Sequence, residues 1–224
     1  MDYREKMTHD FEAQFKWSRK YWLDETDILN WIRFFYLVKE LISSGARSVL
    51  EIGEGSGVVR KTIQEYVEQY DTLDVNENLS PTYVGDVRKK MGAISSNPYD
   101  CVIAADILEH IPYNDVSQAL ENIYSYLKNG GIALITIPHR ASNFLFMSPT
   151  NVPHFIRIPT GFLSPGSFYR RFIKRKIWID PNHQWEIGDG HHTTSGVADI
   201  MKNVGFTVEK IEKLIYVDFF VLKK

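Results

Sequence analysis

The chain has 224 residues, which is enough for one large globular domain but leaves little room for two. Apolar residues make up 44% of it and charged residues 24%, so we expect a packed core, and wholesale disorder is excluded. The formal charge of −2 gives no overall reason to expect nucleic acid as a partner, and no apolar run approaches the roughly 20 residues of a membrane-spanning helix.

Helical periodicity dominates the beginning of the chain. Over residues 24–44, apolar side chains recur every three or four positions, which predicts a long amphipathic helix. Upstream, Phe11, Phe15 and the aromatic cluster at 21–23 predict a shorter helix with an aromatic face. We therefore expect residues 1–45 to form an N-terminal helical cap.

Strand and helix patterns alternate through the rest of the chain. Strands are predicted at 48–52, 72–75, 81–84, 99–104, 132–137, 206–211 and 214–222, and helices at 58–70, 116–127 and 194–204. Parallel neighbours need crossover helices, whereas the last two strands lie close enough in sequence to pair antiparallel. The pattern predicts an α/β fold with a doubly wound, seven-stranded, mainly parallel sheet and a reversed last strand.

The strand–helix rhythm breaks after the fifth strand. Residues 139–179 contain seven Arg or Lys and no Asp or Glu, and aromatic side chains are interleaved with these bases, most densely at 168–176. Such a mixture can stack on a substrate ring, bind a phosphate or lie on a membrane surface, or it can form a lid that packs on the cap. We assign 139–190 as a lid or substrate insertion within a core of 46–224.

The densest chemical signal is the glycine-rich stretch between the first strand and its helix, Glu51-Ile52-Gly53-Glu54-Gly55-Ser56-Gly57. Alternating glycines let the backbone turn tightly and approach a ligand, and the helix behind them presents unpaired N–H groups. Asp74 ends the next strand, 21 residues after Gly53, where a carboxylate can accept hydrogen bonds from both hydroxyls of a ribose. The combination predicts a ligand that contains a nucleoside.

The type of glycine motif distinguishes two cofactor classes. A dinucleotide fingerprint needs Gly or Ala at its sixth position, which is Val58 counted from Gly53 and Arg60 counted from Gly55. A nicotinamide-dependent oxidoreductase is therefore the weaker hypothesis. The stretch instead resembles the first motif of class I S-adenosylmethionine-dependent methyltransferases, Glu/Asp-x-Gly-x-Gly-x-Gly, and the match is complete over 51–57.

This resemblance extends over about residues 46–138 and 190–224 and includes the reversed last hairpin. It implies the methyltransferase fold and S-adenosylmethionine as the cofactor. The cofactor-binding residues that it implies are Glu51, Gly53, Gly55, Gly57, Asp74, Val75, Asp86, Val87 and Asp106.

The implied contacts suit the chemistry of this cofactor. Glu51 would meet the amino group of the methionine part, and Asp74 the ribose hydroxyls. Asp86 would accept a hydrogen bond from the adenine amino group, with Val75 and Val87 on either side of the ring. An alternative for Asp86 is a turn residue ahead of a short helix.

Acidic and imidazole side chains follow the fourth strand, where the methyl group of the cofactor would point. Asp106, Glu109 and His110, together with a later His183-Gln184-Trp185-Glu186, resemble the metal-assisted O-methyltransferases of ubiquinone biosynthesis and of small-RNA 3′ ends. One helical turn would aim the first three side chains at a common point. The resemblance implies Glu109, His110 and His183 as catalytic residues; a divalent metal, a general base and simple bracing of the loop all stay open.

The sequence thus predicts an enzyme that transfers a methyl group, most readily to oxygen, on a small-molecule or lipid-like acceptor. The acceptor would be anionic or amphiphilic, nitrogen and carbon acceptors stay open, and the insertion allows peripheral membrane contact. The alternative is a regulator or scaffold that binds S-adenosylmethionine without turnover. Residues 1–10 carry no apolar signal segment and the single cysteine cannot form an internal disulfide, so we expect a cytoplasmic location.

Overall fold

The computed structural model describes residues 16–150, 153–158, 164–174 and 177–224. The strands are β1 (Ser48–Ile52), β2 (Gln69–Asp74), β3 (Tyr83–Val84), β4 (Tyr99–Ala105), β5 (Leu127–Pro138), β6 (Ser142–Met147), β7 (Pro153–Ile158), β8 (Thr207–Lys213) and β9 (Val217–Lys223). The helices are α1 (Arg19–Asp24), α2 (Ile28–Ser44), α3 (Val58–Ile63), α4 (Gly92–Ser95), α5 (Val116–Ser125), α6 (Pro165–Phe168) and α7 (Thr194–Val204).

Within the described chain, seven strands form one sheet in the order β3-β2-β1-β4-β5-β9-β8. The five strands from β3 to β5 are parallel, and β9 runs antiparallel to both of its neighbours. Helices cover both faces of the sheet. The predicted doubly wound, seven-stranded fold with a reversed last strand is confirmed.

Two apolar cores separate the sheet from its helices. On one face, α5 and α7 bury side chains such as Leu120 and Met201 against the strands. On the other face, α2 contributes Phe34, Leu37 and Leu41, which lie three and four positions apart and so share one side of the helix. This spacing places α2 directly on the sheet, beside the glycine-rich loop.

The long helix predicted over 24–44 is α2 and begins at Ile28, and the shorter helix predicted at the aromatic cluster 21–23 is α1. Asp27 accepts hydrogen bonds from the backbone N–H groups of Leu29 and Asn30, and the Asn30 side chain accepts one from the Asp27 N–H. This capping box starts α2 at Ile28 and leaves α1 as a separate short helix. The predicted contribution of Phe11 and Phe15 lies outside the described residues.

Two other predicted boundaries are wrong. The helix expected over 58–70 ends at Ile63, because the N–H groups of Glu68 and Gln69 donate to the Arg47 carbonyl at 2.8 and 3.1 Å and begin β2 there. The strand predicted over 132–137 begins earlier, at Leu127, and includes Gly130 with a φ of 78°. Long-range strand pairing overrides the local signal at both points.

The insertion contains regular structure of its own. Strands β6 and β7 form an antiparallel hairpin, and α6 continues into a π-helical turn over Tyr169–Ile173. The Phe155 ring lies 6.1 Å from the Tyr36 ring of α2, so the hairpin packs on the same face as that helix. None of the helices that the structure describes has the length and apolar content needed to cross a membrane.

One buried ion pair attaches the hairpin to the sheet. Arg157 of β7 pairs with Asp218 of β9, which is fully buried, and also donates to the carbonyl oxygens of Leu214 and Val217. Thr194 donates to the other Asp218 oxygen at 2.5 Å. Removing the guanidinium alone would leave a buried carboxylate without its counter-charge.

We predict that Arg157→Ala lowers the free energy of unfolding by about 3–5 kcal/mol, measured by denaturant titration, because Asp218 loses its counter-charge. The double variant Arg157→Met/Asp218→Asn removes both charges and should lose less. Equal stability of Arg157→Ala and the wild type would contradict the assigned role of this pair.

Candidate functional site

The glycine-rich loop between β1 and α3 needs glycine for two reasons. Gly53 and Gly57 have φ values of 73° and 69°, a region that other residues rarely adopt. A Cβ atom would lie 2.0 Å from a side-chain carbon of Ile107 at Gly53, and 2.0 Å from Nη1 of Arg19 at Gly57. Both atoms are at the ends of flexible side chains, so the positive φ values are the stronger reason for glycine at these positions.

A cavity of about 560 Å³ opens at the carboxyl ends of β1, β2 and β4. Most of the predicted site residues line it, namely Glu51, Gly53, Gly55, Asp74, Val75, Asp86, Val87, Asp106, His110 and His183. Gly57 and Glu109 do not line it. Parallel strands end together at this edge, which explains why residues far apart in sequence share one cavity.

Two acids face this cavity, the buried Glu51 and the half-buried Asp74. Glu51 accepts a hydrogen bond from the Tyr70 hydroxyl at 2.8 Å, and burial raises its pKa to about 8. Asp74 accepts one from the Asn76 N–H at 2.8 Å, and burial raises its pKa to about 6. Both carboxyl groups have acceptor capacity left, which fits a ligand that brings hydroxyl or ammonium donors.

Asp86 is more heavily engaged than the sequence suggested. The Arg88 side chain binds both of its oxygens, with Nε at 3.0 and 2.9 Å, and this contact lowers the pKa of Asp86. The Arg88 backbone N–H donates to the same carboxylate at 2.9 Å. Asp86 stays charged at the cavity edge, partly saturated by its own neighbour.

Helix α1 closes the cavity from the side of the glycine loop. Arg19 donates to Glu54 at 2.7 Å and to the Leu79 carbonyl at 2.9 Å, and the Trp22 ring lies over Gly55. No sequence signal singled out Arg19. It lies in a helix of only six residues, and its ion-pair partner Glu54 is 35 positions away in the sequence.

Asp106 has partners on other elements and is not part of the cluster that Glu109 and His110 form with His183. Arg33 of α2 pairs with its carboxylate, Thr136 donates to it at 2.6 Å, and Tyr216 donates at 3.2 Å. Its φ of 55° turns the chain ahead of a 3₁₀ turn over Leu108–His110. The expectation that Asp106 would share one point with Glu109 and His110 is therefore wrong.

Glu109, His110 and His183 do come together. One potential ligand atom from each lies within 4.8 Å of the others. Glu109 is fully buried, neither of its carboxylate oxygens has a hydrogen-bond partner, and burial raises its pKa to about 8. A buried carboxyl group without a hydrogen-bond partner, close to two imidazole rings, is a costly arrangement unless a cation or a donor completes it.

The two histidine rings are oriented by groups behind them. Nδ1 of His110 lies 3.0 Å from the Asn182 carbonyl, which can only accept, so this nitrogen carries the proton. Nδ1 of His183 donates to Glu186 at 2.7 Å. Burial lowers the pKa of His110 to about 4, and its Nε2 therefore keeps a lone pair at neutral pH. Histidine ligands of metal ions are typically held in this way.

The end of the insertion brings His183 to this position. The Gln184 N–H donates to the Glu109 carbonyl at 2.8 Å, and Nε1 of the buried Trp185 lies 3.1 Å from the carbonyl oxygens of Leu108 and Ile111. Arg140 pairs with Glu186 from the end of β5. Sequence reasoning placed Trp185 and Glu186 in one element with His183 but missed Arg140, which lies 46 positions before Glu186 and carries no specific signal.

Comparisons with known proteins agree with this geometry. A family profile described as the methyltransferase domain matches residues 26–211. Among curated protein sequences, none matches the chain. The structure is similar to the N-methyltransferase NodS from Bradyrhizobium japonicum WM9 in complex with S-adenosyl-L-homocysteine, with a TM-score of 0.60, 14% identity and 96% of both chains covered.

Two further solved structures are similar. They are the magnesium protoporphyrin IX methyltransferase from Synechocystis PCC 6803 (TM-score 0.54, 12% identity, 86% of this chain and 82% of that one) and the 1,6-didemethyltoxoflavin-N1-methyltransferase from Burkholderia thailandensis (TM-score 0.54, 12% identity, 97% and 90%). At these identities the likeness establishes the fold alone.

Proposed function

The chain belongs to the class I S-adenosylmethionine-dependent methyltransferases, and we propose that it methylates an oxygen atom of a small-molecule or lipid-like acceptor. The observation that carries the choice of oxygen is the cluster of Glu109, His110 and His183 beside the cofactor cavity. A hydroxyl acceptor has to lose a proton, whereas a neutral amine already presents a lone pair. A cluster of proton-accepting or metal-binding groups is therefore most useful for oxygen.

The cavity residues suit the parts of the cofactor. The loop over 51–57 leaves room for its methionine part, Glu51 can accept from the ammonium group, and Asp74 can accept from both ribose hydroxyls. Val75 and Val87 offer apolar contact to the adenine ring, with Asp86 at its amino edge. When bound, S-adenosylmethionine supplies an electrophilic methyl group on its sulfonium. The chain's task is to align the acceptor with it and exclude water.

We propose that Glu109, His110 and His183 hold a divalent cation. One carboxylate and two imidazole nitrogens suit Zn²⁺, Fe²⁺ or Co²⁺ better than Mg²⁺ or Mn²⁺. When bound, such a cation lowers the pKa of a coordinated hydroxyl group. The Nε2 lone pairs of the two histidines can instead accept the hydroxyl proton directly, which is the metal-free version of the same proposal.

Residues 1–45 and 139–190 serve, in this proposal, as a cap and a substrate lid on the core. Trp22 of α1 and Asn182 of the insertion both line the cavity, which supports contributions from both segments. Phe146, Ile156 and Trp178 of the insertion are exposed, and no acid accompanies the bases of 139–179. These features suit an anionic or amphiphilic acceptor and peripheral contact with a membrane surface.

The rival hypothesis is a cofactor-binding regulator without turnover. It predicts that no S-adenosylhomocysteine accumulates over a panel of hydroxyl, amine and carbon acceptors, although the cofactor binds. Product formation with any member of the panel would exclude it, and a hydroxyl-bearing member is expected to react.

The first test concerns cofactor binding. Asp74→Ala should weaken S-adenosylmethionine binding by about 1–3 kcal/mol in calorimetry, because charge-assisted hydrogen bonds to the ribose are lost. Since the pKa of Asp74 is raised to about 6, wild-type affinity should fall as the pH drops through 6, and the variant should lose this dependence. Asp199→Ala, at an exposed position of α7, is the control. Unchanged affinity of a folded Asp74→Ala would reject the assignment.

The second test concerns the metal. Co²⁺ titration of the purified protein should produce visible d–d absorption, and His183→Ala and Glu109→Gln should each weaken Co²⁺ binding about 10-fold or more, because each removes a ligand. The exposed His191→Ala is the control. Absence of Co²⁺ binding together with chelator-insensitive turnover would reject the metal site. Near-normal rates in His110→Ala and His183→Ala would reject a histidine as the general base.

The third test concerns the charge of the insertion. Reversing two exposed bases, Arg170→Glu/Lys174→Glu, should raise KM for anionic members of the acceptor panel by several-fold and leave cofactor affinity unchanged, because only acceptor attraction is altered. Lys202→Glu on α7 is the matched control. If the ratio of KM values for anionic and neutral acceptors is the same in the variant and in the wild type, the lid has only a structural role.

A further inference from the structure

The guanidinium group of Arg33 is unusually placed. Arg33 belongs to α2, lines the cavity, and its side chain is only 11% exposed. Among the described residues, the only hydrogen bond that this guanidinium donates runs from Nη1 to Asp106. Its Nε is buried without a partner. A buried N–H group without an acceptor costs stability, so the arrangement invites an anion.

The geometry of a guanidinium specifies which anion. Nε and Nη2 lie along one edge, and this edge binds a carboxylate through two parallel hydrogen bonds. The hydrogen bond to Asp106 uses Nη1, so Nε and Nη2 remain available for a carboxylate. The other arginine lining the cavity, Arg88, uses the corresponding edge for Asp86. Of the two arginines that line the cavity in the described structure, Arg33 is therefore the one whose Nε and Nη2 can still bind a carboxylate.

The neighbour of Arg33 indicates where this carboxylate comes from. Arg33 and Glu51 line the same cavity, and the positive charge of Arg33 partly offsets the effect of burial on the pKa of Glu51. One acid and one base that line the same cavity match the two charges of an α-amino acid, with the ammonium on Glu51 and the carboxylate on Arg33. The methionine part of S-adenosylmethionine carries both charges.

We infer that Arg33 is the receptor for the carboxylate of the cofactor's methionine part, so that α2 contributes directly to cofactor recognition. This inference rests on the proposed placement of Glu51 at the ammonium group. It assigns Arg33 two roles at once, since Nη1 fixes the loop after β4 through Asp106 while the opposite edge binds the ligand. The cofactor would thereby connect β1 to α2.

The test compares S-adenosylmethionine with its decarboxylated analogue, which lacks only this carboxylate, by calorimetry at one pH and ionic strength. The measured quantity is the ratio of the two dissociation constants in each variant. Arg33→Met should shift this ratio against S-adenosylmethionine by about 10- to 100-fold. Arg33→Lys keeps the charge but not the two-pronged edge, and its ratio should shift by a smaller factor.

Two controls isolate the carboxylate contact. Arg33→Met/Asp106→Asn removes both charges of the pair. If the ratio in this double variant shifts as much as in Arg33→Met, the unpaired charge of Asp106 is not the cause of the shift. Arg60→Met removes another positive charge near Glu51 and should leave the ratio unchanged. An Arg33→Met ratio equal to that of the wild type would overturn the inference while the proposed function stands. Failure of the wild type to bind either compound would instead reject the proposed function.

Discussion

The parallel arrangement of β1, β2 and β4 is the constraint on which the rest of the structure depends. Parallel strands end at the same edge of a sheet, and the chain leaves each of these strands through a short turn rather than a hairpin. Gly53 follows β1, Asp74 ends β2 and Asp106 follows β4. Three segments that are more than 20 residues apart therefore meet around one cavity.

More acidic than basic side chains line the cavity. Burial raises the pKa of Glu51 and Asp74, which line it, and of the nearby Glu109, whereas Asp106 is paired directly by Arg33. Burying unpaired carboxylates opposes folding. A cationic cofactor and a divalent cation would offset that cost, so the electrostatics of the cavity favour these ligands.

The sequence predicted the elements and residues whose signals are local. The glycine spacing of 51–57 and the acid at 74 lie at the predicted strand ends, and alternating periodicity was enough to predict the sheet and its reversed last strand. Arg33 and Asp106 are 73 positions apart, and no local pattern relates them. The early end of α3 could not be predicted for the same reason. It is set by the pairing of β2 with β1 and not by a residue that ends helices.

The two halves of the cavity are built by different parts of the chain. The cofactor side depends on turns inside the sheet, where a Cβ at Gly53 would collide with Ile107. On the proposed acceptor side, His183 is held by Glu186, which Arg140 pairs from the end of β5, and the exposed Trp178 ring lies 4.7 Å from the same guanidinium. Because this chain of contacts runs through the insertion and not through the glycine loop, changes in the insertion can move His183 while the glycine loop keeps its geometry.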